Sequence, residues 1–113
     1  MFRKIKKYIC NRYRGFDENE IGYNKAIGLQ KKGAILVDVR SPSEYAEGHL
    51  KGAISIPEYE IKSKIPKMIP NKEKNIIVYC KSGIRGKNAV KSLKQLEYKN
   101  VFNIYNGLDG SEV

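Results

Sequence analysis

The stretch Ile76-Ile77-Val78-Tyr79-Cys80-Lys81-Ser82-Gly83-Ile84-Arg85 passes from an apolar run through a cysteine into a tight polar loop that closes on an arginine. Its first four residues are apolar or aromatic and rich in β-branching, the pattern of a strand buried on both faces. From Gly86 to Leu96 the apolar residues Ala89, Val90, Leu93 and Leu96 fall at helical spacing. Cys80 therefore sits where a buried parallel strand hands over to a helix, the place where open α/β sheets bind ligands. A thiol there faces the unpaired amides at the start of a helix, whose dipole favours negative charge. Lys81 and Arg85 add fixed positive charge, and Gly83 permits a turn that aims loop amides inward as a nest for an anion. The expected species is a reactive thiolate in an anion-binding cradle. The plainer alternative is a small hydrophobe at the end of a strand.

Outward from this stretch, strands alternate with helices through short links, which argues for a parallel sheet covered on both faces. Ile21-Gly22-Tyr23 reads as a very short first strand, and Asn24 to Lys32 as a helix stopped by Gly33. Ala34 to Val39 is a second buried strand. Ser41 and Glu44 have capping-box spacing with Pro42 at the first helical position, so a short helix runs to about Glu47. Ile54-Ser55-Ile56 is a brief third strand ended by Pro57. A helical stretch holding Pro66 and Pro70 precedes the strand into Cys80, and Val101 to Tyr105 forms a fifth strand, followed by a loop from Asn106 to Gly110.

A length of 113 residues suits one domain with a proper core. No apolar run approaches the roughly 20 residues needed to cross a bilayer, and the basic start lacks the apolar stretch of a secretory signal. Two cysteines, Cys10 and Cys80, lie far apart and suggest no disulfide framework, and in the expected reducing cytoplasm a single exposed cysteine is more often chemical than structural. The only histidine, His49, has no metal-ligand company, so neither a metal nor another cofactor is expected. The net charge of +10 is concentrated at the start, where Arg3, Lys4, Lys6, Lys7, Arg12 and Arg14 occur without an acid. Residues 1–15 thus form a basic N-terminal arm and residues 16–113 the domain. In the arm Phe2, Ile5, Ile9 and Tyr13 fall near helical spacing, which suits a helix packed on the domain or, second, contact with a membrane surface. No nucleic-acid-binding motif accompanies the charge.

Two buried strands end in chemistry, one on Asp38-Val39-Arg40 and the other on Cys80. Together with Leu36 to Tyr45, Glu47-Gly48-His49, Gly52-Ala53, Cys80 to Arg85 and Asn106-Gly107-Leu108, the chain from about Ile21 to Gly110 resembles the rhodanese-like sulfurtransferase domains. The resemblance implies a three-layer α/β/α domain with a five-stranded parallel sheet. It also implies a catalytic cysteine, Cys80, that takes sulfur from a donor, holds it as a persulfide and passes it to a thiophilic acceptor. Lys81, Ser82, Gly83, Ile84 and Arg85 would bind the substrate, with Lys81 and Arg85 recognising a small anionic donor such as thiosulfate. The acceptor would be a thiol or cyanide, and a protein sulfur donor is a further possible partner. Asp38 and Arg40 are expected to support the loop, with Arg40 paired to Glu44 or Glu47, and His49 to pack or hydrogen-bond rather than react.

Four residues separate Cys80 from Arg85. Related folds that hydrolyse phosphate esters or reduce arsenate have five, and the smaller ring suits a single sulfur atom. A Cys-dependent phosphatase or arsenate reductase is therefore a lesser alternative, as is a redox pair of Cys10 with Cys80. A persulfide carrier or regulatory docking module is the main rival to an enzyme. Two residues depart from the family pattern: Lys81 stands where arginine is common, and Gly86, where serine is common, is expected to weaken the helix start and loosen the loop. Relatives also continue beyond the final glycines into a closing helix, and the N-terminal arm is expected to cover the surface that this helix would protect.

Overall fold

The computed structural model describes residues 18–110. The expectations for the basic arm and for Cys10 lie outside these residues. Five strands form one sheet: β1 (Glu20–Ile21), β2 (Ile35–Asp38), β3 (Ile54–Ser55), β4 (Ile76–Tyr79) and β5 (Val101–Ile104). Their order is β1-β5-β4-β2-β3 and every pairing is parallel. Between them lie helices α1 (Tyr23–Lys31), α2 (Pro42–Ala46), α3 (Ile61–Met68) and α4 (Ile84–Gln95), with 3-10 turns at Glu58–Glu60 and Gly107–Gly110.

The alternation of side chains along each strand divides the core in two. On one face Val37, Ile76, Val78, Cys80 and Val101 meet Ile61 and Ile65 of α3 and Ala89, Val90 and Leu93 of α4. On the other, Leu36, Ile77, Tyr79 and Ile104 meet Ala26 of α1, with Tyr45 of α2 packed alongside. This is the expected three-layer α/β/α arrangement, and all four residues of β4 are buried, as a central parallel strand requires.

Boundaries differ from the sequence reading in instructive ways. Tyr23 starts α1 rather than ending β1, because its ring packs into the core from a helix. Helix α4 begins at Ile84, two residues before the apolar periodicity starts, because Gly83 at φ 104° serves as its N-cap. Pro66 lies inside α3, and the chain leaves the helix before Pro70.

The ends of β2 and β4 are tied together by a buried carboxylate. Asp38 is fully buried and accepts from the Arg40 amide (2.9 Å), Arg40 Nη2 (2.6 Å) and the Tyr79 hydroxyl (2.9 Å). Arg40 thus pairs with Asp38, not with Glu44 or Glu47. Only Val39 separates the partners, so the pair forms within one turn of chain, and Arg40 Nη2 also donates to the Gly48 carbonyl at 2.6 Å. The Asp38 hydrogen bond holds the Arg40 guanidinium more firmly charged than usual. Burial pushes the Tyr79 phenol up, so it stays protonated and donates to Asp38 while accepting from the Leu50 amide at 2.9 Å. The Gly48–Leu50 turn is thereby fixed to the sheet.

Helix α2 opens with the expected capping box: the Ser41 side chain accepts from the Glu44 amide, and Glu44 accepts from the Ser41 amide. Glu44 also receives both arms of Arg85, from Nη1 at 2.8 Å and Nη2 at 3.1 Å. Hydrogen bonds from Arg85 first, then from the Ser41 backbone, hold its carboxyl down at about 2.

Two outcomes follow from this network. Tyr79→Phe leaves the Leu50 amide without its acceptor and removes one donor from Asp38, and urea unfolding should show a loss of about 1–3 kcal/mol. Glu44→Gln should cost about 0.5–1 kcal/mol at neutral pH, because both members of the pair remain about a third exposed. Glu44 titrates lower in the folded than in the unfolded chain, so its contribution is present above pH 4.5 and disappears as the pH falls toward 2. Thermal unfolding curves of wild type and variant should therefore converge across that window.

Candidate active site

Parallel sheets bind ligands where the connections part to opposite sides. Here the chain leaves β2 toward β3 on one side and β4 toward β5 on the other. The crevice between the carboxyl ends of β2 and β4 receives Arg40 and Glu44 from one loop and Cys80 to Arg85 from the other. The bidentate Arg85–Glu44 pair spans it.

Cys80 is 1% exposed. Two main-chain amides point at its sulfur: Gly83 N lies 3.0 Å from Sγ and Gly86 N 3.4 Å. The inward amides expected from residues 81–85 are thus present at Gly83, but the second donor comes from Gly86, in the first turn of α4. The turn depends on Gly83, since a Cβ at this position would run into the Tyr105 carbonyl. Main chain also closes over the cysteine from the other side. Leu108 N donates to the Cys80 carbonyl at 2.9 Å and Asp109 N to the Lys81 carbonyl at 3.0 Å.

Gly86 does not loosen the loop. Its Cα packs directly against the side-chain oxygen of Asn103, in a space that no Cβ could enter, so glycine here permits a closer fit of helix to strand. Sequence reasoning missed this because a glycine in a first helical turn is ordinarily a local weakness; only the neighbour on β5 gives it another meaning.

The side chains around the cradle divide by role. Lys81 is largely exposed and reaches Asp109 Oδ1 at 3.5 Å. Arg85 donates from Nη1 and Nη2 to Glu44, which holds its guanidinium more firmly charged than usual and makes the residue a tie between α2 and the loop. Ser82 is exposed, and Ile84 is 69% exposed at the rim. Asp38 lies behind the crevice in the buried network, and Arg40, its partner, reaches the crevice wall. His49 is exposed, stacks on Tyr45 at 3.7 Å and places Nδ1 2.9 Å from the Tyr45 carbonyl. A cleft of about 680 Å³ adjoins the site, lined by Tyr23, Arg40, Glu44, His49, Lys51 and Leu108 among others, though not by Cys80 itself. Among the described residues no helix is long and apolar enough to cross a membrane.

A buried sulfur that receives two N–H donors at the start of a helix can take up and release negative charge in place, without reorganising its surroundings. Residues 24–112 match the Rhodanese-like domain family. The thiosulfate sulfurtransferase PspE of Escherichia coli (strain K12) is 37% identical over 67 residues, covering 59% of this chain and 64% of that protein. A tRNA uridine(34) hydroxylase of Yersinia enterocolitica is 32% identical over 102 residues, covering 82% of this chain but only 29% of the hydroxylase. Among solved structures, the human single-domain sulfurtransferase TSTD1 superposes with a TM-score of 0.73 at 25% identity, over 85% of this chain and 100% of that one. With the parallel sheet, the cysteine at the end of β4 and the family match over most of its length, this chain belongs to the rhodanese-like domain family.

Proposed function

We propose that the protein is a rhodanese-type sulfurtransferase in which Cys80 carries sulfur as a persulfide. The observation that carries the reading is the pair of amides, from Gly83 and Gly86, directed at Cys80 Sγ. In the first half-reaction the Cys80 thiolate attacks the outer sulfur of thiosulfate. The new S–S bond forms as the old one breaks, and sulfite leaves with the electron pair. In the second, a thiolate or cyanide attacks the terminal sulfur of the persulfide and restores the Cys80 thiolate. Negative charge enters and leaves the same small space in both steps. The cradle serves each without a general base.

The burial of Cys80 suits a donor that enters end-on past Ile84 and presents one sulfur atom. Lys81, which reaches only Asp109 at 3.5 Å, is the cation best placed to meet a donor anion, whereas Arg85 keeps the loop shut against α2 through Glu44. The similarity to PspE supports thiosulfate as the donor, and a cytoplasmic location fits the need to keep the thiol reduced. The chain spans only 29% of the tRNA uridine(34) hydroxylase it matches, so such a domain also occurs within a larger protein, and this favours a second reading: a docking or carrier domain that receives sulfur from a protein partner.

Intact-mass measurement after incubation with thiosulfate should show wild type gaining one sulfur atom and Cys80→Ser gaining none. Repeated turnover with cyanide should follow loading. Loading by a persulfidated protein but never by thiosulfate would favour the carrier. Hydrolysis of an aryl phosphate without any gain in mass would overturn the sulfur-transfer reading.

A further inference from the structure

Strand β5 reads Val101-Phe102-Asn103-Ile104, with one amide in a row of hydrophobes, and Asn103 is buried to 1% exposure. Its side chain touches two residues at the start of α4, the N-cap Gly83 and Gly86 in the first turn. Nδ2 donates to the Gly83 carbonyl at 3.1 Å, and Oδ1 lies against Gly86 in the space a Cβ would need. These are the same two residues whose amides face the Cys80 sulfur.

Stability alone does not account for this amide. Oδ1 is buried and accepts no hydrogen bond among the described residues, a desolvation cost that an apolar residue of similar shape would not carry. Nor does the Gly83 carbonyl need the donation for satisfaction, since it already accepts from the Lys87 amide at 3.1 Å within the helix. What Nδ2 adds is position: it draws the N-cap of α4 onto β5. The amide is itself oriented by Glu20 on β1, whose side chain is 4% exposed and whose Oε2 lies 3.3 Å from Nδ2 and 3.9 Å from Lys87 Nζ.

We propose that Asn103 is a positioning residue that holds Gly83 and Gly86, and with them both amide donors, against the Cys80 sulfur. The inference rests on the reading of Cys80 as the sulfur carrier but is tested by a measurement that needs no sulfur transfer. Asn103→Val and Asn103→Ser both remove the donation to Gly83, and Val101→Ala, on the same strand, perturbs the core without touching the loop. In ¹⁵N-labelled protein the amide resonances of Gly83 and Gly86 should move upfield in both Asn103 variants, while Val101→Ala lowers the melting temperature and leaves them in place. Loading of Cys80 by thiosulfate should slow about 3- to 10-fold in the Asn103 variants, less than for outright deletion of an oxyanion-hole donor. Unmoved glycine amides in a folded Asn103 variant, or equal movement in Val101→Ala, would overturn the proposal. If wild type itself takes up no sulfur, the sulfurtransferase reading fails while the amide resonances still decide the role of Asn103.

Discussion

The buried carboxylate of Asp38 is the constraint on which the rest of this site depends. A charge at zero exposure is tolerable only if it is paired and hydrogen-bonded. Asp38 meets that condition by drawing in Arg40 from its own strand end and Tyr79 from the next strand. Tyr79 immediately precedes Cys80. Fixing the tyrosine on one face of the sheet therefore fixes the direction in which the cysteine points from the other. The same network holds the Gly48–Leu50 turn through Arg40 and Tyr79, so one carboxylate sets the registry of three segments around the crevice.

The surroundings of the Cys80 sulfur are made from main chain, and most side chains act on them at one remove. Gly83 and Gly86 supply the donors, the Asn103 side chain on β5 and the Tyr105 carbonyl just beyond it press on these glycines, and Glu44 pins the far end of the loop through Arg85. Charge is used sparingly. Arg85 is neutralised locally by Glu44, and Lys81 remains at the rim. A cradle of oriented amides suits the proposed sulfur transfer, in which the anion would change identity but not sign between the two half-reactions.

Much of this was legible in the amino-acid order, for physical reasons that can be named. Ile76–Tyr79 is too short and too β-branched for a helix, and its four residues are all buried. Ser41 and Glu44 announced a helix start that is present down to both reciprocal hydrogen bonds. The length of the loop after Cys80 marked the cradle. What stayed hidden were the partners across the fold. Asp38 and Arg40 are near neighbours in sequence, yet Glu44 and Glu47 looked equally good mates for Arg40 until the loop geometry sent Glu44 to Arg85. Gly86 read as a flaw because Asn103 lies 17 positions away in the chain. The one trace of Asn103 was polarity in an otherwise apolar strand.

The pairing of β1 with β5 sets Glu20 beside Asn103, residues at nearly opposite ends of the described chain. A ribosome that has delivered the polypeptide only through α4 has therefore made the thiol but not the strand that shapes its surroundings. Such distant pairings form late in folding, since chain entropy must be spent before any contact repays it. The Cys80 cradle is in this sense the keystone of the domain, set only when the last strand slots between β1 and β4.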